Sequence, residues 1–201
     1  GLTLMVIIIF VTIVVSFAST SISREGNCFY HTKIIPVTYT TQTLVKFALY
    51  AGVATVSVIL SCLVSGIYYT TDAGGHLLSA MDVGAIFCIS EILVVSLTSL
   101  YMLIDIKSPT FNVGGDGELV SANKNVALAM VVGIAVAILY GVFAMVFSFI
   151  PLSIGSWQIT AVGGDIGNIY LILSLISLIL LGASLSALFV KLNRKYHKII
   201  P

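Results

Sequence analysis

The segment VGAIFCISEILVVSLTSLYMLI, residues 83–104, decides the fold of this chain. It is long enough to cross about 30 Å of hydrocarbon as a helix, which takes roughly 20 predominantly apolar residues. A helix is required because lipid offers the backbone N–H and C=O groups no hydrogen-bond partners. We therefore predict a transmembrane helix that carries one charged residue, Glu91, near its middle.

Four further apolar stretches accompany this segment and predict a bundle. The five predicted spans are residues 2–18, 44–69, 83–104, 126–150 and 169–190. The chain is 59% hydrophobic and 8% charged, whereas soluble domains carry about 25% charged residues. The predicted fold class is an all-α integral membrane protein, a bundle of five transmembrane helices that forms a single domain over residues 1–201.

The basic residues are distributed unequally about these spans. They lie in or beside the first and third connections and in the C-terminal tail: Arg24, Lys33, Lys46, Lys107, Lys124, Lys191, Arg194, Lys195 and Lys198. Because cytoplasmic segments are enriched in Lys and Arg, we expect the N-terminus outside, the C-terminus in the cytoplasm, and a multi-pass protein of the plasma membrane. Removal of the first stretch as a signal peptide would place every basic connection outside, so we expect it to be retained as a span.

Glu91 is the most unusual residue, because a charged side chain at this depth costs about 2.5–3.5 kcal/mol on insertion scales. Helical spacing places it on a small and polar face with Gly84, Cys88, Val95, Thr98 and Met102. The opposite face is aliphatic and consists of Ile86, Ile89, Leu93, Leu97, Leu100 and Ile104. We expect Leu93 to point to lipid and Glu91 to point into the bundle or into a partner.

Three interpretations of Glu91 remain open from the sequence. The side chain forms a structural hydrogen bond with a Ser, Thr or Tyr of a neighbouring helix, or it is an ion or proton site, or it contacts another subunit. No Lys, Arg, His or second carboxylate lies deep in any other span, and a proton relay normally needs a series of titratable groups. We therefore favour a partner contact over transport and predict a polar seam or partner contact at Glu91, Cys88 and Thr98.

The fourth span carries a row of small residues at four-residue spacing: Ala129, Gly133, Ala137 and Gly141. Such a row lets two helix backbones approach closely. We predict a helix-packing seam here. Packing within the bundle is the simpler interpretation, and an interface with a second copy or with another subunit is the alternative.

Catalytic, cofactor and metal signatures are not found in the sequence. The histidines fall in loops or in the tail, where they are poorly placed to ligate a haem in the bundle: His31, His76 and His197. A group of acidic and amide residues does not fit the EF-hand pattern and is interpreted as a solvated turn: Asp105, Asn112, Asp116, Glu118 and Asn123. A membrane enzyme would have to draw on the outer-side residues His76, Asp72, Asp82 and Asp165.

The functional prediction follows from these observations. We expect a non-catalytic integral membrane subunit of a larger membrane protein assembly, first a respiratory or electron-transfer complex, without a cofactor of its own. The expected partners are other membrane protein subunits and lipids, and the net charge of +1 argues against nucleic acid. The alternatives are a small transporter or ion or proton channel that uses Glu91, and a viral or cell-envelope structural membrane protein.

Overall fold

A computed structural model describes residues 2–70, 79–111, 123–149, 152–154, 157–159 and 167–195. Five stretches of helix in it are long and apolar enough to cross a membrane: Thr3–Gly26, Tyr39–Tyr69, Ala80–Lys107, Lys124–Val146 and Ile169–Leu192. The prediction of five long apolar helices is confirmed. Most of these stretches extend beyond the predicted limits, because a helix continues past its apolar stretch into the flanking polar residues.

Six α-helices and one short hairpin are seen among the described residues. The helices are α1 (Leu2–Val15), α2 (Phe29–Ile34), α3 (Tyr39–Thr70), α4 (Ala80–Lys107), α5 (Lys124–Phe149) and α6 (Gly167–Lys195). Strands β1 (Leu152–Ile154) and β2 (Trp157–Ile159) pair in antiparallel register, with Ser153 opposite Gln158. This pair of strands is not predicted from the sequence, because three residues are too few to show the alternation that marks a strand.

The first span changes its helical type before it ends. The α-helical geometry stops at Val15, and the chain continues through 3₁₀ segments at Ser16–Thr20 and Ser23–Cys28. The hydroxyls of Ser16, Ser19 and Thr20 each donate to the carbonyl three residues earlier, at 2.6–2.8 Å. Side-chain bonds of this kind compete with the regular backbone ladder, which accounts for the tightened turns.

Proline and glycine determine the path from the first span to α3. Gly26 has φ 49° and ψ −132° inside the second 3₁₀ segment, a conformation that glycine adopts without steric cost. α2 ends at Ile34, and Ile35 is extended with ψ 129° because the residue before a proline, here Pro36, avoids helical geometry. The chain can therefore turn back and enter α3.

α4 is the central helix of the bundle. It packs against α1, α3, α5 and α6, and half of its most apolar window is buried. The corresponding window of the first span is 61% buried, whereas those of α3 and α6 are 17% and 22% buried. The centre of the bundle is thus formed by α1 and α4, and broad apolar faces of α3 and α6 remain uncovered by the chain itself.

One end of the bundle collects most of the described basic residues, and we call it the basic end. There the first span, α4 and α6 end while α3 and α5 begin, which brings together Arg24, Lys46, Lys107, Lys124 and Lys191. Lys46 forms an ion pair with Glu25. The basic residues that are unevenly distributed along the sequence thus lie together at one end of the folded chain.

Candidate functional site on the central helix

α4 carries a carboxylate at each of three levels, namely Asp82 in its first turn, Glu91 in its middle and Asp105 in its last turn. The three side chains have different surroundings. Asp82 and Asp105 are buried, whereas Glu91 is partly exposed. Each of the three carboxylates therefore has a different set of hydrogen-bond partners.

Asp82 closes the N-terminus of α4. Its carboxylate accepts from the backbone N–H of Ser79 at 2.8 Å, and the Ser79 hydroxyl accepts from the backbone N–H of Asp82 at 3.2 Å. This reciprocal capping box satisfies two backbone donors that the first turn leaves free. Of the four residues considered for a catalytic site, Asp82 is therefore engaged in a cap, and His76, Asp72 and Asp165 lie outside the described residues.

Glu91 meets α3 through one of its two carboxylate oxygens. The Thr55 hydroxyl donates to Oε2 of Glu91 at 2.9 Å. The other oxygen, Oε1, is buried and has no hydrogen-bond partner within the described part of the chain. A Thr on a neighbouring helix is the kind of partner that the structural interpretation of Glu91 requires, but it satisfies only half of the carboxylate.

The small and polar face of α4 is divided along its length. In the first half, Gly84 and Cys88 are exposed, and Met81 one turn earlier is 87% exposed. In the second half, Thr98 is fully buried and its hydroxyl donates to the Val94 carbonyl at 2.7 Å. Glu91 lies at the boundary, so the three residues of the predicted polar seam do not share one environment.

The prediction that Leu93 points to lipid is wrong. Leu93 and Leu97 are fully buried, and Ile89 is 1% exposed. The aliphatic face of α4 forms the core, and the first half of the small face points outward. Helical spacing separates two faces of a helix but does not tell which one meets the other helices, and apolar residues suit a protein core and lipid equally well.

Asp105 is enclosed at the basic end and holds three segments together. One oxygen, Oδ2, accepts from the backbone N–H groups of Ile22 at 2.5 Å and Ser23 at 3.1 Å. The other, Oδ1, accepts from the Ser23 hydroxyl and from the side-chain amide of Asn125 at 3.2 Å. Asp105 therefore joins the 3₁₀ end of the first span and the start of α5 to α4.

The interpretation of Asp105 and Asn123 as part of a solvated turn is wrong, because Asp105 is fully buried and Asn123 is 4% exposed. The other three residues of that group, Asn112, Asp116 and Glu118, lie outside the described residues. A signal for Asp105 does exist in the sequence. A carboxylate in the last turn of a helix faces the negative end of the helix dipole, so its presence there indicates compensating donors.

The row of small residues on α5 faces the first span. Ala129 and Ala137 are fully buried, and Gly133 and Gly141 are buried as well. A Cβ atom at Gly133 would lie 2.1 Å from the Tyr101 hydroxyl and 2.2 Å from Cγ2 of Thr12. At Gly141 it would lie 2.7 Å from Cβ of Met5. The close approach that this row permits is therefore used within the chain.

Two further hydrogen bonds between helices involve serines of α6. The Ser99 hydroxyl of α4 donates to Ser184 at 2.8 Å, and the hydroxyls of Tyr140 and Ser177 lie 2.9 Å apart. By contrast, Gly182 and Ser186 of the same helix are exposed. One side of α6 is consequently bound to α4 and α5, and its other side is open.

An apolar cleft of about 660 Å³ separates α1 from α3. Its walls include Val6 and Phe10 on α1 and Leu60, Ser61 and Val64 on α3. The Ser61 hydroxyl in the cleft already has a hydrogen-bond partner, because it donates to the carbonyl of Ser57 at 2.8 Å. The cleft is therefore lined mainly by apolar side chains of the two helices.

Metal ligation finds no support in the described ranges, where no three His, Cys, Asp or Glu side chains are grouped to hold an ion. His31 is an exposed residue of α2, and His197 lies outside the described residues. Comparison of the chain with protein-family models, with curated proteins and with solved structures finds no match.

Proposed function

We propose that this chain is a non-catalytic integral membrane subunit that binds a neighbouring protein through the first half of α4. The observation that carries the proposal is the exposed face formed by Gly84 and Cys88 beside the half-satisfied carboxylate of Glu91. The other helix faces left open by the chain are mainly aliphatic and suit lipid. This one combines small side chains with a carboxylate.

The cost of a carboxylate in hydrocarbon favours a protein neighbour over lipid at this face. A carboxylate exposed to hydrocarbon costs about 2.5–3.5 kcal/mol on insertion scales, and a hydrogen bond between membrane helices returns on average only about 0.6 kcal/mol. The bond from Thr55 alone therefore does not offset the cost of placing Glu91 in the membrane. Small residues at Gly84 and Cys88 would let a second helix approach closely enough to cover the carboxylate.

The proposal includes the orientation and the membrane. Because the basic end gathers Arg24, Lys46, Lys107 and Lys124, we propose that it faces the cytoplasm of a plasma-membrane protein, with the N-terminus outside. The respiratory or electron-transfer assembly expected from the sequence stays a prediction. Haem or iron–sulfur absorbance in the complex purified in mild detergent would support it.

The orientation can be tested with a native cysteine. Cys28 is exposed at the basic end, so in a variant with Cys62→Ala and Cys88→Ala it should react with a membrane-impermeant maleimide in inverted vesicles but not in intact cells. A matched control replaces Ala73, in the opposite connection, by cysteine in a background without native cysteines, and it should show the reverse pattern. Labelling of Cys28 from outside intact cells would contradict the orientation.

Neighbour binding can be tested at Cys88, which is exposed on the proposed face. In a variant with Cys28→Ser and Cys62→Ala, Cys88 modified with a benzophenone maleimide should yield one defined cross-linked product after irradiation of native membranes. The matched control moves the single cysteine to Val131 of α5, which is 65% exposed, and should yield mainly lipid adducts. Equal yields of protein adduct at both positions, or a product containing only a second copy of the chain, would contradict the proposal.

The rival function, a small transporter that uses Glu91, is favoured by the same unpartnered oxygen, Oε1. It requires flux through the purified chain alone in proteoliposomes, and loss of that flux in Glu91→Gln. An assembly subunit should show no flux with either residue. The two functions are therefore separated by one reconstitution experiment.

A further inference from the structure

We propose that the neighbouring protein presents a Lys or Arg side chain, inside the membrane, to the partly exposed carboxylate side chain of Glu91. The inference rests on the proposed function, and it adds the chemistry of the partner. Few transmembrane helices carry a basic residue at this depth. The contact would therefore be specific for a small class of membrane proteins.

Glu91 has a hydrogen-bond partner for only one of its two carboxylate oxygens. Thr55 occupies Oε2, and Oε1 is buried without a partner among the described residues. A carboxylate is an acceptor that a charged donor satisfies best, since hydrogen bonds between ionised groups are shorter and stronger than neutral ones. Since Oε1 is enclosed by the chain itself, a donor from another protein can approach Glu91 only where its side chain is partly exposed.

No Lys or Arg of the described helices lies at the level of Glu91. The only basic residue in the sequence of α3 is Lys46, nine positions before Thr55, which places it about 13 Å away along the helix axis. Lys46 also forms an ion pair with Glu25. The basic residues of the other long helices include Lys107, Lys124 and Lys191. They lie at the basic end, several helical turns from the level of Glu91.

The surface around Glu91 allows a second helix to come close. Cys88 and Gly84 precede it by about one and two helical turns and are both exposed. A Cβ atom added at Gly84 would meet nothing within 4 Å, so the space in front of α4 is open. A partner backbone lying along these two positions would bring a Lys or Arg side chain within reach of the carboxylate.

A second copy of this chain fits the site less well than a basic partner. The small face of α4 contains Glu91 and no cation, so two copies docked through it would bring two carboxylates together. Like charges in a site of low dielectric repel. Charge complementarity therefore points to a different protein.

The experiment measures complex formation in native membranes by the Cys88 photo-cross-link and by co-purification in mild detergent. The cross-linked peptide should contain a transmembrane segment with a Lys or Arg at the depth of Glu91. Glu91→Gln should lower the recovered complex at least about tenfold, because one partner of a desolvated charge pair is lost. Glu91→Lys should abolish it, and replacement of the partner's basic residue by Glu should restore it.

Matched variants separate the inference from a folding defect and from the proposed function. Thr55→Val removes only the internal hydrogen bond and should retain most of the complex. Should Glu91→Gln fail to fold, neutralisation of the partner's basic residue tests the same pair from the other side. A Cys88 cross-link that persists in Glu91→Gln, or a partner segment without a cation, would overturn the inference and leave the proposed function standing. Absence of any cross-link in the unaltered protein would overturn both.

Discussion

Asp105→Ala should be the most destabilising single substitution among the polar residues described, lowering the free energy of unfolding by about 3–5 kcal/mol. Four donors lose their acceptor at once, and two of them are backbone N–H groups, of Ile22 and Ser23. These groups are enclosed, so water does not replace the lost bonds. The unfolding free energy of the purified protein, measured in mixed micelles by titration with a denaturing detergent, checks the expected loss.

Controls for this prediction come from the same region of the sequence. Asp105→Asn retains one acceptor oxygen and should lose a smaller part of the stability. Asp116→Ala, in the connection interpreted as a solvated turn, should change the unfolding free energy by less than about 0.5 kcal/mol. If Asp105→Ala and Asp116→Ala behaved alike, the carboxylate of Asp105 would not be the tie between the segments.

The loss at Asp105 should also have a local signature. The 3₁₀ segment Ser23–Cys28 is attached to α4 through Ser23, whose hydroxyl additionally accepts from the backbone N–H of Thr110 at 2.9 Å. Without Asp105 this segment should open more often than the rest of the bundle. Ser21, just before this segment, is 4% exposed, so a cysteine placed there in a background without native cysteines should react faster with maleimide in Asp105→Ala than in Asp116→Ala.

Gly133→Val should lower the free energy of unfolding by about 3 kcal/mol or more, and Gly133→Ala should lower it by about 1–3 kcal/mol. The added Cβ would overlap the Tyr101 hydroxyl at 2.1 Å and Cγ2 of Thr12 at 2.2 Å. Tyr101 and Thr12 are fully buried, so neither side chain can move aside without displacing α1 or α4. The same detergent titration measures the change.

Other glycines of the bundle provide matched controls for Gly133. Gly52 and Gly182 lie inside long helices, and a Cβ at either position would meet nothing within 4 Å. Gly52→Ala and Gly182→Ala should therefore be neutral or stabilising by up to about 1 kcal/mol, since alanine is the better helix former. Equal losses at Gly133 and Gly182 would show that backbone conformation, and not close packing, determines the cost.

A rescue experiment assigns the clash at Gly133 to its two contacts. Tyr101→Phe removes the hydroxyl, and Thr12→Ser removes the methyl group Cγ2. In the Gly133→Ala background the two substitutions together should recover more stability than their separate effects predict, because residues in contact are energetically coupled. Simple additivity would indicate that the alanine is accommodated by a shift of the helix instead.

The sequence by itself determined the number of long apolar helices, their approximate limits and the unequal placement of basic residues. These properties are local, because the length of an apolar stretch and the charges beside it can be read without knowing its neighbours. Helical spacing also separated the two faces of α4, and the spacing of Gly133 and Gly141 identified a row that permits close approach. In the fold this row meets Thr12 and Met5.

Only the tertiary structure decided which face of each helix lies inside. Leu93 was expected to face lipid and is in the core, because lipid and protein interior attract the same side chains and hydropathy cannot separate them. The role of Asp105 depends on Ser23, 82 positions away in the chain. Such contacts form only when the helices pack together. The sequence therefore shows that a carboxylate lies unfavourably at the end of α4, but it does not show which groups donate hydrogen bonds to it.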